Sequence, residues 1–247
     1  MAKTSNSWLE TVAGLFYPPV CQLCRVEPAT PVEGFVCRTC RLRPGNLRYV
    51  RPPFCQRCGL PFDGEISAGF ECANCRDVDL HFVNARAAVV ATPLVLEVVH
   101  RYKYNRAMWF EPFLADLLVG EMAPELREGR WDVVVPVPLF PVKEREREFN
   151  QAERLARRLG EAADVPVNAR LIRRVQPTRT QTLLSRTERA RNVGRAFAPW
   201  PGARLRRQRV VLVDDVLTTG ATTNACARVL RHLGASEVCV RTVARGT

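Results

Sequence analysis

The sequence predicts a parallel α/β domain preceded by a small module built on two zinc ribbons. Three observations predict it: four CxxC pairs crowded ahead of residue 76, strand-length apolar runs alternating with helical apolar recurrence after Asp79, and a doubled aspartate closing one such run. Strands separated by helices form a parallel sheet with both faces covered. The 247 residues, 47% hydrophobic and 25% charged, suffice for one large domain or two modest ones and exclude a disordered or fibrous chain. No run approaches the roughly 20 apolar residues that span a bilayer, so no membrane anchor is expected.

Ser7-Trp8-Leu9-Glu10 has the spacing of a capping box, and Trp8, Val12, Leu15 and Phe16 then share one helical face until Pro18-Pro19 stops it. With a single Lys between Met1 and Pro19, this stripe reads as a lid on the ribbons rather than a membrane-seeking face. The same stretch lacks the apolar core and small-residue cleavage site of a signal peptide, so a cytoplasmic chain is expected. In a reducing compartment the cysteine pairs hold metal rather than form disulfides.

Cys21/Cys24, Cys37/Cys40, Cys55/Cys58 and Cys72/Cys75 are the four pairs. Two thiolates at a tight turn point at one tetrahedral Zn²⁺, and a second pair some dozen residues later completes the site, so two structural zincs are expected. Sequential pairing is the working assumption, and crossed pairing stays open. Gly59 after Cys58 suits the positive φ of a zinc knuckle, whereas Arg25 after Cys24 predicts a less regular first knuckle. The Arg-, Pro- and Gly-rich stretch from Arg41 to Pro53 reads as a connector. Residues 1–80 thus form the ribbon module and residues 81–247 the α/β domain.

Val83 to Ala91 reads as a strand, Leu94 to Tyr104 and Phe110 to Met122 as helices, and Trp131 to Val137 as a buried strand ended by prolines. Phe149 to Ala163 is a helix, Val210 to Val213 a buried strand, Thr222 to Leu233 a helix and Val238 to Val243 the last strand. The formal charge of +12 is unevenly spread, with 9 Lys/Arg against 8 Asp/Glu in residues 1–80 and 28 against 17 thereafter. The basic excess, which suits a phosphorylated or polyanionic partner, lies in the α/β part. Two zincs on eight thiolates would make the ribbon module slightly acidic, which weakens the inference from zinc ribbon to nucleic-acid reader.

The strongest local signal is Val210-Val211-Leu212-Val213-Asp214-Asp215-Val216-Leu217-Thr218-Thr219-Gly220-Ala221-Thr222. Two carboxylates follow a buried strand, and a Thr/Gly turn then opens a helix. Ligands of open α/β sheets sit at that end of the strands, and unpaired N–H groups at a helix start hold phosphate. Carboxylates beside such a cradle suit sugar hydroxyls, or Mg²⁺ through water. The implied ligand is a ribose 5-phosphate, provided the carboxylates reach solvent and the amides of the turn are free. A Walker A loop is excluded because the chain has no Gly-Lys dipeptide.

This stretch matches the PRPP-binding signature of type I phosphoribosyltransferases. Together with the CxxC pairs, His100 to Asn105, Val135 to Pro138, Arg147 to Gln151 and Gln181 to Asn192, it makes the chain closely resemble the competence protein F (ComF) family along nearly its whole length. The resemblance implies a phosphoribosyltransferase-like fold that binds PRPP with Mg²⁺ and an association with DNA uptake. It implies that Asp214 and Asp215 bind ribose hydroxyls. It further implies that Thr218, Thr219, Gly220, Ala221 and Thr222 wrap the 5-phosphate, with Val216 and Leu217 joining the two groups. Val137 and Pro138 would face pyrophosphate, and Arg147, Asn150, Gln151, Lys103, Ser185 and Arg189 are further candidates. The basic stretch from Arg179 to Arg195 matches a loop that covers the ligand. Phe140 and Glu148 depart from the family's usual His and Gly, and an acidic Glu148 needs Arg145 or Arg147 to offset it.

Other groups are less specific. Arg170 to Arg209 contains twelve Arg and no Lys, which reads equally as a single-stranded nucleic-acid surface or a solvated face. Lys103 reads equally as a phosphate ligand or a surface lysine between packed tyrosines. His81, His100 and His232 lack metal or triad spacing and read as ordinary histidines, and Cys226 and Cys239 as small core hydrophobes. Two alternatives to an enzyme stand beside the main reading: a non-catalytic module that handles single-stranded DNA, and a zinc scaffold docking an uptake or recombination protein.

Overall fold

The computed structural model describes residues 19–64, 70–76, 78–177 and 195–246. The expected N-terminal helix, Ser185, Arg189 and nearly all of the proposed covering loop lie outside these residues. Among these residues six strands are present: β1 (Asn84–Val90), β2 (Val133–Pro136), β3 (Ile172–Arg174), β4 (Phe197–Pro199), β5 (Arg209–Leu217) and β6 (Glu237–Arg245). The α-helices are α1 (Arg38–Leu42), α2 (Pro93–Tyr104), α3 (Glu111–Glu128), α4 (Pro141–Arg147), α5 (Gln151–Ala163) and α6 (Ala221–His232).

Four strands form one sheet in the order β1-β6-β5-β2, every neighbouring pair parallel. Parallel strands buried on both faces must be apolar throughout, and Val210, Val211, Leu212 and Val213 are all fully buried. Their side chains alternate. Val211 and Val213 pack with α2, α3 and α5 on one face, while Val210 and Leu212 pack with α6 and the β3-β4 hairpin on the other. The expected class, a parallel α/β sheet behind an N-terminal double zinc ribbon, is the class observed.

Several elements exceed their expected bounds. α3 runs through Pro124 to Glu128 because Met122, Ala123 and Leu126 continue its buried face. β5 continues past Val213 to Leu217, so Asp214 and Asp215 lie within the strand instead of after it. Register pairing of Asp214 with Thr242 and of Leu217 with Arg245 on β6 holds that extension in place.

The ribbons are built into this frame. Cys21, Cys37 and Cys40 share the hydrophobic cluster of α3, and Gly34, at φ 61°, lies so close to Phe113 that a Cβ there would meet its backbone N at 2.6 Å. The connector is also bonded to the sheet: Val50 N donates to Ala88 O at 3.0 Å, and Val90 N to Arg48 O at 2.7 Å. The second ribbon has its own small core, in which Phe62 and Phe70 meet edge-on beside its four cysteines.

Candidate functional site

The metal candidates divide as Cys21, Cys24, Cys37, Cys40 and Cys55, Cys58, Cys72, Cys75, the sulfurs of each group lying within 4.8 Å of one another. Sequential pairing is therefore the arrangement present. Zn–S bonds of about 2.3 Å in a tetrahedron place neighbouring sulfurs about 3.8 Å apart. The separations are 3.8 Å for Cys21–Cys40 and Cys24–Cys37, 3.5 Å for Cys58–Cys72 and 3.7 Å for Cys72–Cys75. A disulfide requires about 2.05 Å, and all ten cysteines are free. The tetrads fit a double zinc ribbon holding two Zn²⁺.

Arg25 adopts φ 59°, close to the 66° of Gly59. The first knuckle therefore has the same left-handed turn as the second, which corrects the expectation of an irregular one. Each tetrad contains one acidified thiol. Backbone N–H groups of Glu27 and Val26 lower Cys24 to about 6. Burial raises Cys55, but N–H groups of Cys58 and Cys72 outweigh it and bring the thiol to about 7.

At the carboxyl ends of β2 and β5, a cleft of about 660 Å³ gathers Lys103, Val137, Pro138, Arg147, Gln151, Asp214, Asp215, Val216, Thr218 and Thr222. That volume suits a phosphorylated sugar. Strand alternation divides the aspartates, with Asp215 on the α2/α5 face and Asp214 on the α6 face. Asp215 is only 2% exposed, and its Oδ2 lies 2.7 Å from Lys103 Nζ, so the expectation that both carboxylates reach solvent fails at Asp215 and is met only by the half-buried Asp214. Burial and the charge of Asp215 push Asp214 up to about 7, with Lys103 opposing. Burial alone would lower Lys103, but Asp215 and Asp214 raise it.

Gly220 caps α6 at φ 77°, a left-handed turn that favours glycine. Ala221 N donates to Thr219 Oγ1 at 3.4 Å, and the first helical bond is from Asn224 N to Gly220 O. Among the described residues, no acceptor meets the N–H groups of Thr218, Thr219, Gly220, Thr222 or Thr223. The turn is thus an open nest of donors at the positive end of a helix dipole. Leu217 is buried below it.

Across the cleft, Arg147 donates to Gln151 Oε1 at 3.0 Å, and its guanidinium lies 4.8 Å from the Tyr104 ring centre. Asn150 is buried and serves as a cap: its Oδ1 accepts from Ala152 N, and its Nδ2 donates to Val137 O at 3.1 Å. It orients the Val137 loop and does not line the cleft. Glu148 occupies φ 68°, which explains glycine at this position, and its carboxylate pairs with Arg106 at 2.8 Å rather than with Arg145 or Arg147. His100, Lys143 and Arg174 also line the cleft. Sequence reasoning read His100 as an ordinary histidine and did not place Lys143 or Arg174 here, because the three come from separate elements that only the fold brings together.

A second cleft of about 860 Å³ adjoins the first through Pro138, Leu139 and Arg174, and contains Phe140, Trp200, Arg157, Arg170 and Arg173. Cys226 and Cys239 are fully buried. No described helix is long and apolar enough to cross a membrane.

Residues 12–78 match the family described as "Double zinc ribbon domain". The chain is 29% identical over 229 residues to "Competence protein F" of Haemophilus influenzae, covering 86% of this chain and 97% of that protein. It is 31% identical over 232 residues to "DNA utilization protein YhgH" of Salmonella typhimurium, covering 92% and 96%. It is 27% identical to "Competence protein ComFC" of Bacillus subtilis over 81% and 79%. A solved purine phosphoribosyltransferase from Pyrococcus horikoshii Ot3 is 20% identical over 54% of this chain and 83% of that one, with a TM-score of 0.36. With tetracysteine ribbons, a parallel sheet and full-length relatives all in agreement, the chain belongs to the competence protein F (ComF) family.

Proposed function

We propose that the cleft binds PRPP or a ribose 5-phosphate with Mg²⁺, as a phosphoribosyltransferase-type site. One observation carries this reading: β5, which bears Asp214 and Asp215 near its carboxyl end, leads into an open turn of backbone donors that faces Lys103 and Arg147 across a single cleft. The open amides of Thr218, Thr219, Gly220 and Thr222 take the 5-phosphate. Asp214, without a cation of its own in the described structure, accepts from the ribose hydroxyls. Asp215 does so only as Lys103 shifts toward the ligand. Val137, Pro138 and Arg147 face the pyrophosphate end.

Asp214 would hold a Mg²⁺ ion, which would supply charge neutralisation of pyrophosphate. The fit rests on the donor set, since a carboxylate beside a phosphate cradle repels phosphate unless a cation or hydroxyls intervene. Turnover on this site would break the bond from the anomeric carbon to pyrophosphate and form one from that carbon to an incoming nucleophile. The chain contributes positioning, and the cations Lys103 and Arg147 stabilise the departing charge. We place the ribbon module at residues 1–80 and the sugar-phosphate domain at residues 81–247.

A second reading, passage of single-stranded DNA, is supported by the second cleft, where Trp200 and Phe140 offer stacking faces among arginines. The names of the relatives, competence and DNA utilization, agree with it. Such binding weakens steeply with salt, and salt-independent affinity would eliminate it.

Thermal stability tests the main reading. At about 100 times its dissociation constant, PRPP with Mg²⁺ stabilises by about 2.7 kcal/mol, a Tm rise of roughly 5–10 °C. The paired variant Asp214→Asn, Asp215→Asn loses the rise. No rise in the unmodified protein would defeat the reading.

A further inference from the structure

We propose that Arg245 is a positioning residue that couples the second metal site to the phosphate turn, an inference that rests on the reading of Thr218 to Thr222 as a phosphate cradle. Arg245 is the last residue of β6 and only 3% exposed. Its Nη1 donates to Leu217 O at 3.0 Å and to Thr218 O at 2.7 Å, where the turn leaves β5. The other edge of the same guanidinium reaches the zinc knuckle: Nε donates to Cys58 O at 3.1 Å and Nη2 to Cys58 Sγ at 3.5 Å. One planar fork therefore bridges two segments far apart in sequence, which a lysine cannot do.

The charge balance has the same shape. A buried guanidinium needs a counter-charge, and no described carboxylate pairs with Arg245. Its anionic neighbour is Cys58, which is a thiolate when it holds metal. The knuckle is itself fixed to the sheet, since Ala85 N donates to Arg57 O at 2.7 Å and a Cβ on Gly59 would meet Ala85 O at 2.6 Å. Gly246 completes the strap, its N donating to Leu217 O at 2.8 Å. Metal in the second ribbon thus holds Cys58 in place, Cys58 holds Arg245, and Arg245 sets the carbonyls behind the open amides. The first tetrad packs against α3 and has no such link to the turn among the described residues.

Binding free energies are reciprocal, so ligand on the turn must also tighten metal in the second ribbon. The test uses the zinc-loaded full chain and ¹⁵N relaxation. In the unmodified protein the Thr218 and Thr219 amides have order parameters near the rigid value of about 0.85, and in Arg245→Ala and Cys58→Ser they fall below about 0.6. Combining the two substitutions gives no further fall, Arg245→Lys falls part of the way, and Cys21→Ser leaves both amides rigid. In Arg245→Ala, competition with a chelator at equilibrium shows one of the two zincs held about tenfold more weakly, and the other is unchanged.

PRPP with Mg²⁺, followed by calorimetry, binds about tenfold more weakly to Arg245→Ala. Amides that stay rigid when the second ribbon loses its metal, or additive effects of the two substitutions, would overturn the coupling. If the amides loosen as stated but the unmodified protein binds no PRPP, the coupling stands and the ligand reading falls.

Discussion

Lys103 Nζ lies 2.7 Å from Asp215 Oδ2, and the two side chains are 20% and 3% exposed. The pair joins the end of α2 to β5 at the floor of the cleft. Removing one partner of a buried pair leaves an uncompensated charge and costs about 3–5 kcal/mol, whereas replacing both is far cheaper. Partial exposure of Lys103 favours the lower figure. Lys103→Met therefore lowers Tm by roughly 6–12 °C, and adding Asp215→Asn recovers most of that loss. Calorimetric melts check it, and strictly additive losses would mean the pair is not a pair.

Asp214 is held up to about 7 by burial and by the charge of Asp215. An ordinary aspartate has a pKa of about 3.9, so between about pH 4 and pH 7 the folded chain keeps a proton that the unfolded chain has released. Stability from this group therefore falls as pH rises through that window and is level on either side. Asp214→Asn removes the slope: at pH 8 it raises Tm by about 3 °C or more, and at pH 4 it changes nothing measurable. Melts at both values decide it, with equal shifts at both values counting against the assignment.

Glu148 sits in the left-handed region at φ 68°, which costs a non-glycine residue about 1–2 kcal/mol. Its exposed pair with Arg106 returns only about 0–1 kcal/mol. Glu148→Gly is expected to be stabilising by about 0.5–1 kcal/mol, measured by urea denaturation. A loss of stability would show that the ion pair outweighs the backbone.

Metal analysis after mild chelation is expected to find two zincs per chain, and stronger chelation to unfold the ribbons. Serine in place of any one of the four cysteines of the second tetrad reduces the count to one. A protein without zinc that keeps its melting temperature would contradict the ribbon assignment.

The strand and helix pattern was legible because buried parallel strands and amphipathic helices leave distinct periods, as in Val210 to Val213 and in the α6 face. Boundaries were less so. The Thr92-Pro93 start of α2, with Thr92 Oγ1 accepting from Val95 N, is a cap readable from residue type alone. The short β3-β4 hairpin and α4 have no strong period of their own and depend on tertiary packing. In the site, Asp214, Asp215 and the Thr/Gly turn were visible as one continuous motif. The Lys103–Asp215 pair, Asn150 as a cap, and Arg245 behind the turn were not, because each joins segments distant in the chain. The positive φ at Arg25 was hidden by a residue type that seldom adopts it.

The most direct measurement is an NMR titration of the zinc-loaded chain with PRPP and Mg²⁺, followed at the amides of Thr218, Thr219, Gly220 and Thr222. The account predicts saturable shifts centred on those amides, with one ligand per chain, and their disappearance when Asp214 and Asp215 are both changed to Asn. Amides that do not move at millimolar ligand, or shifts confined to the second cleft around Trp200, would contradict it.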